Sequence, residues 1–283
     1  MNRIALVMIA RNEARCIERC LVSARAWVDE MWVLDTGSTD ATAQIAAGCG
    51  AQVAHFAWVN DFAAARNAAL ALTSADWCLV LDADEWIVRG GESIAALRTH
   101  VPGFIGQISV ASSFYTAQGA LGEAPSWLPR VLPRGVRYEG RVHEQPQSAL
   151  PRQRLPLLVG HDGYLGAQMA HKQGRNQTLL QLALAAQPDD AYLRYQLGKD
   201  FEVRAEFASA APHYLQALTQ VDARAPWRHD LVLRTLFTLK KLGRRSGDHA
   251  GRDRDAALER VARLLLHPRR PAARMGCECA GSC

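Results

Sequence analysis

A chain of 283 residues with 49% hydrophobic content and a net charge of +5 can bury the cores of two ordinary domains, which excludes a disordered chain. No stretch approaches the roughly 20 apolar residues of a membrane span, and the apolar start Ile4 to Ala10 is cut by Arg11 before it could serve as a signal-peptide core, so a cytoplasmic protein is expected. Seven cysteines, at Cys16, Cys20, Cys49, Cys78, Cys277, Cys279 and Cys283, form an odd set without a disulfide spacing, which suits a reducing compartment. Basic residues crowd the last quarter from Lys240 to Arg274. Such a run reads as a solvated helix surface or as a face for an anionic membrane or acidic partner. It is not interleaved with aromatics, and no nucleic-acid partner is expected.

Residues 3 to 9 read as a first buried strand ending in Ala10-Arg11-Asn12-Glu13. A helix follows in which Ile17, Cys20, Leu21 and Ala24 recur at the spacing of one buried face. Cys16 and Cys20, one helical turn apart, are read as packing residues. A second strand, Glu30 to Leu34, runs into Asp35-Thr36-Gly37-Ser38-Thr39-Asp40, where Ser38 or Thr39 is expected to cap a helix with Ile45 inward and Gly48 at its stop. A third strand, Gln52 to His55, leads to Trp58-Val59-Asn60-Asp61, with Asn60 or Asp61 capping a helix from Phe62 to Leu72.

The fourth strand is Trp77-Cys78-Leu79-Val80-Leu81, an apolar run too short for a helix that breaks into Asp82, Ala83, Asp84 and Glu85. Alternating strands and helices predict a mostly parallel sheet covered on both faces, with ligands outside the carboxyl ends of its strands. The polar turns after all four strands then open on one edge. Carboxylates about 4 Å apart repel by roughly 4 kcal/mol at an effective dielectric near 20, so this cluster calls for something positive among it. Oxygen-only ligands favour Mg²⁺ or Mn²⁺ over zinc. Asp35 and its hydroxyl neighbours can meet a base or ribose, and the edge as a whole reads as a nucleotide-diphosphate pocket.

Past residue 100 the alternation stops. Phe104 to Tyr115, Trp127 to Leu132 and Leu155 to Val159 read as strands of an antiparallel extension, and Tyr138-Glu139-Gly140-Arg141-Val142-His143-Glu144-Gln145 is dense in functional groups. Helical periodicity takes over from about Gly166. Leu197, Gly198, Phe201, Ala210, Tyr214 and Ala217 fit the tetratricopeptide pattern, and helices near Leu231 to Leu242 and Ala256 to Leu266 would extend the stack. Three regions are expected: an α/β domain over 1–165, a small all-α tetratricopeptide-like domain over 166–270, and a cysteine-containing tail over 271–283.

Taken together, Asp-Thr-Gly-Ser-Thr-Asp, Trp58-x2-Asp61-Phe62-Ala63-x2-Arg66-Asn67, Leu81-Asp82-Ala83-Asp84-Glu85 and the Tyr138 to Gln145 segment resemble the inverting family 2 glycosyltransferases of GT-A fold. The closest likeness is to the branch with tetratricopeptide-like helices that includes sublancin-type peptide S-glycosyltransferases. The resemblance covers roughly the first 165 residues and implies a Rossmann-like GT-A domain and a nucleotide-sugar donor, with UDP-hexoses the commonest. It further implies that Asp35 contacts the base, with Ala10, Arg11 and Glu13 lining it. Arg66 would meet the diphosphate or uridine side, Asp82 the ribose or sugar, and Asp84, with Asp82, a Mn²⁺ or Mg²⁺ ion. A DxD metal motif of this kind offsets charge building on the leaving phosphate.

Inversion requires a base on the acceptor side, for which His143, Glu144 and Glu85 are the candidates. An Arg141 to Glu144 ion pair holding the segment is the structural alternative. The acceptor is expected to be a peptide or protein, or a cell-envelope glycan, with peripheral association at the inner membrane face as one setting. The competing function is a non-catalytic helical-repeat scaffold carrying a vestigial transferase domain.

Overall fold

The computed structural model describes residues 1–115, 120–162 and 175–243. They divide into two compact units, one within Met1–Arg175 and one within Asn176–Cys283. The expected domain boundary at Gly166, the helix from Ala256 to Leu266 and the cysteine tail lie outside the described residues, as does most of the basic run. Among the described residues no helix is long and apolar enough to cross a membrane.

The first unit is an eight-stranded sheet. Its first half alternates strand and helix: β1 (Ile4–Ala10), α1 (Ile17–Ala24), β2 (Glu30–Asp35), α2 (Thr42–Gly48), β3 (Gln52–His55), α3 (Phe62–Leu70) and β4 (Trp77–Val80). Strands β3, β2, β1 and β4 lie side by side and parallel, so the turns that follow them share one edge. Register aligns Ala10 with Asp35 and Asp35 with His55. β1 is buried on both faces, as a central parallel strand must be. One face packs on Ile17, Cys20, Leu21 and Ala24 of α1, the other on Ala63 and Ala69 of α3.

The second half contains β5 (Glu85–Arg89), α4 (Glu92–Ala96), β6 (Ile105–Tyr115), β7 (Leu121–Pro133), β8 (Arg137–Glu139), β9 (Gln145–Gln147) and β10 (Arg152–His161). β7 continues the sheet antiparallel to β4, β6 pairs antiparallel to β7, β10 runs parallel to β6, and β5 closes the far edge antiparallel to β10. The antiparallel extension is as expected, with one difference. The acidic turn after β4 does not end in a loop; Glu85 begins a strand built from Trp86, Ile87 and Val88, aromatic and β-branched residues suited to a pleated surface. That strand sets Glu85 opposite His161 and Trp86 opposite Gly160. A Cβ on Gly160 would lie 2.5 Å from the Trp86 ring, so only glycine lets the indole lie flat on β10. β8 and β9 form a separate two-stranded hairpin whose loop carries Gly140 to Glu144.

Four helices make up the second unit as described: α5 (Arg175–Ala186), α6 (Ala191–Val203), α7 (Phe207–Gln220) and α8 (Arg228–Gly243). Asp190 caps α6, accepting from Tyr192 N and Leu193 N. Leu197, Gly198 and Phe201 of α6 and Ala210, Tyr214 and Ala217 of α7 are buried, which are the positions of the repeat pattern. A Cβ on Gly198 would sit 2.5 Å from the Tyr214 ring, so this glycine lets the two helices close on one aromatic.

Candidate active site

β4 stops at Val80 and the chain turns through Asp82, Ala83 and Asp84 into β5. The turn closes on itself: Glu85 N donates to Asp82 O at 3.0 Å and Asp82 N donates to Glu85 Oε2 at 2.9 Å. Its carboxylates are met by cations. Asp82 Oδ1 accepts from Arg66 Nη2 at 2.8 Å and Oδ2 from Arg130 Nη2 at 2.7 Å. The same Arg130 nitrogen donates to Glu85 Oε1 at 2.7 Å, and Arg66 Nε donates to Glu144 Oε1 at 2.5 Å. A continuous alternating chain, Glu144–Arg66–Asp82–Arg130–Glu85, therefore ties α3, the β4 turn, β7 and the β8–β9 loop together.

This chain sets the charge of each member. Burial opposes charge on Asp82, but Arg130 and Arg66 hold its carboxyl well below the usual carboxylate range. Glu85 is only 2% exposed, and burial, reinforced by Asp82 and Asp84, raises its pKa in spite of Arg130. Both guanidiniums lose hydration, yet Asp82 keeps each firmly charged, with Glu144 adding to Arg66 and Glu85 to Arg130. Arg66 Nη1, Arg130 Nε and the Tyr138 hydroxyl are buried with no hydrogen-bond partner among the described residues.

Asp84 faces the other way. Its Oδ2 lies 3.4 Å from His161 Nε2 at the end of β10, and the opposite ring nitrogen is 3.0 Å from Ser112 Oγ. Burial pulls the His161 pKa down, but the hydrogen bond and charge of Asp84 raise it on balance. The end of β10 is anchored from α1 and the turn before it: Arg15 reaches Asp162 through two nitrogens at 3.0 and 2.9 Å, and Arg19 at 2.6 Å while lying 3.6 Å over the Trp86 ring. Burial opposes ionisation of Asp162, and these bonds bring its pKa down to about 2.

The turns after β1 and β2 form a second knot on the same edge. Asp35 accepts from Ser38 N at 3.1 Å and lies 3.3 Å from His55 Nδ1. Ala10 O accepts from Thr36 N and Oγ1, Asn12 N donates to Ser38 Oγ, and Glu13 N donates to Thr42 Oγ1. Arg11 is exposed. Ser38 and Thr39 do not cap α2 as expected: the helix starts at Thr42, whose N–H is taken by Asp40, and the two residues instead bind the Asn12 turn. Local hydrogen bonding to the neighbouring turn outcompetes the capping role.

The two other motifs turn out to be partners. Asn67 brackets the backbone of Tyr138, donating to its O at 2.9 Å and accepting from its N at 2.8 Å, and Phe62 N donates to Arg141 O at 2.9 Å. Asp61 caps α3 through Ala64 N. Glu144 pairs with Arg66, not Arg141; Arg141 donates to Asn60 O. Arg66 stands on the buried face of α3 and holds the carboxylate inward. His143, in left-handed backbone at φ 55°, is exposed on this loop.

The structure thus brings Asp82, Asp84, Glu85, Arg66 and Glu144 into one cluster and Ala10, Glu13 and Asp35 into the neighbouring knot. Arg130 and His161 are absent from the sequence-based candidates, although each left a signal. Arg130 interrupts the apolar run of β7, and a charged residue in a buried strand needs a partner; His161 ends the apolar run of β10. Among the described residues no three His, Cys, Asp or Glu side chains form a metal-binding group. The facing pair Asp84 and His161 presents one carboxylate and one imidazole nitrogen, both of them groups that can ligate a divalent ion.

The Glycosyl transferase family 2 model matches residues 5–91. A TPR repeat-containing protein of Synechococcus elongatus is 33% identical over 285 residues, spanning 95% of this chain and 67% of that protein. The prophage-derived glycosyltransferase SunS of Bacillus subtilis is 28% identical over 207 residues, 69% of this chain and 48% of SunS. Glucosyl-3-phosphoglycerate synthase from Mycobacterium tuberculosis, solved with Mn²⁺, UDP and glucosyl-3-phosphoglycerate, aligns at 27% identity over 41% of this chain and 45% of its own, with a TM-score of 0.32. The chain spans about half the length of the latter two.

Proposed function

The chain belongs to the family 2 glycosyltransferases, and from that premise we propose that it moves a hexose from a UDP-sugar to a polypeptide acceptor, with inversion and with a divalent cation. The observation that carries the reading is the division of labour in the Asp82–Glu85 turn. Asp82 and Glu85 are consumed by arginines, while Asp84 is set across from His161.

Asp84 and His161 would hold Mn²⁺ or Mg²⁺. When bound, that ion neutralises charge developing on the leaving diphosphate. Asp35, fixed by the Ser38 N–H, receives the base, and Ala10 to Glu13 line it. Arg66, kept charged by Asp82 and Glu144, adds positive potential beside the diphosphate at no cost in reorganisation. Of the three base candidates, Glu85 is sealed inside and Glu144 is engaged by Arg66. His143 is exposed on the loop that Glu144 anchors, and it takes the acceptor proton as the acceptor atom attacks the anomeric carbon and the bond to the UDP oxygen breaks. A helical stack usually offers a concave surface to a partner, which supports a polypeptide acceptor over a glycan.

Calorimetric titration of UDP with and without Mn²⁺ is the primary test. Metal-dependent binding is expected in the native protein and is lost in Asp84→Ala and His161→Ala; His143→Ala should keep UDP binding and lose transfer. A folded native protein that binds neither UDP nor another nucleoside diphosphate would sink the reading.

A further inference from the structure

We propose that Arg130 is a positioning residue of the donor site: one guanidinium nitrogen fixes the Asp82–Glu85 turn so that Asp84 faces His161. The proposal rests on the donor reading given above and goes beyond it to a residue far from the motifs in sequence. Val131 of β7 pairs with Leu79 of β4, and the strands are antiparallel, so Arg130 stands beside the point where β4 ends and the acidic turn begins. Its Nη2 lies 2.7 Å from both Asp82 Oδ2 and Glu85 Oε1, residues that flank Asp84 on either side.

Gripping both flanks leaves Asp84 as the carboxylate of the turn directed at β10. Glu85 is also the β5 residue in register with His161, so the same cation fixes the strand against which the imidazole is aligned. Both hydrogen bonds of Arg130 Nη2 are made to the turn itself, so the positioning role is exerted through the turn.

Both bonds leave from a single nitrogen. The site therefore uses Arg130 as a point cation carrying two N–H donors, a role that a lysine ammonium with three donors can fill. Arg66 differs: it spends Nε on Glu144 and Nη2 on Asp82, two nitrogens in fixed planar relation, which lysine cannot copy. Positioning thus carries a signature in which Arg130→Lys rescues and Arg66→Lys does not.

The test compares Arg130→Met, Arg130→Lys, Arg66→Lys and the double variant Arg130→Met with Glu85→Gln, each checked for folding by thermal melting. UDP binding is titrated as a function of Mn²⁺ concentration, and UDP-glucose hydrolysis is followed. Arg130→Met should raise the Mn²⁺ concentration for half-maximal UDP binding about tenfold and lower hydrolysis about a hundredfold, the scale of a misplacement near 1 Å. Arg130→Lys should return both to within about fivefold of the native protein, whereas Arg66→Lys stays impaired. If Arg130→Met alone fails to fold, the double variant, which removes the acid left unpaired, carries the same expected loss. Native-like Mn²⁺ dependence in folded Arg130→Met or in the double variant would overturn the positioning role while leaving the donor reading intact. Absence of UDP binding in the native protein would overturn both.

Discussion

The carboxyl edge of the sheet and the helical unit solve opposite packing problems. At the edge, two arginines and three carboxylates are packed into one alternating chain. In the helical unit Arg234 pairs with Asp230 in a wetter setting, their side chains 30% and 46% exposed. Its interior is held by shape, with Tyr214 seated on Gly198. Replacing buried ion pairs by apolar residues is often neutral or stabilising, so a fold needing only stability has little reason to build the edge this way. Its charges fit a site that must meet a charged substrate.

Removing one partner from the edge should produce the largest effect. Arg66→Met leaves Glu144 without its cation and Asp82 with Arg130 alone, which is expected to cost about 3 kcal/mol, the lower end for a broken buried pair because Asp82 keeps Arg130 and is 34% exposed. Urea unfolding measures it, and an unchanged midpoint would show that the chain of charges is as dispensable as a surface pair.

The matching disruption in the helical unit is steric. Gly198→Ala puts a methyl 2.5 Å from the Tyr214 ring and should cost about 1–3 kcal/mol through overpacking, with metal-dependent UDP binding retained by the folded protein. A neutral or stabilising result would mean that the ring yields, and that shape is less decisive there than the contrast holds.

The smallest effect lies in acid. Asp29 accepts from Ile4 N and Arg98 Nη2, both at 2.8 Å; burial opposes its charge, but the Arg98 bond and the Ile4 N–H lower its pKa below the ordinary value. A lowered folded-state pKa gives stability that is present above the unfolded value and lost as pH falls through the folded one. Asp29→Asn should therefore lower the melting temperature slightly at neutral pH and flatten its decline below about pH 4. Equal slopes in the two proteins would remove Asp29 from the account.

Much of the fold was legible because its signals are local. The apolar run at Trp77, the recurrence of Ile17, Cys20, Leu21 and Ala24, and the Leu197 to Ala217 repeat pattern each report their own burial through periodicity. The parallel half follows from the alternation they form. β5 was not legible, since the Asp82–Glu85 turn conceals that the next residues pair with β10 some 70 positions later. Capping at Ser38 and an Arg141–Glu144 pair were sound local expectations that distant partners overrode.

Residue types at strand ends thus pointed to Asp35, Asp82 and Asp84 as candidate site groups, and the family resemblance added Arg66 from α3. Only tertiary structure decided how they divide. Which carboxylate meets the arginines and which meets the imidazole depends on Arg130 and His161, delivered by β7 and β10 from 48 and 77 residues beyond Asp82 and Asp84. Charge pairing acts over a few ångströms of space without regard to chain distance, so no local pattern could assign it.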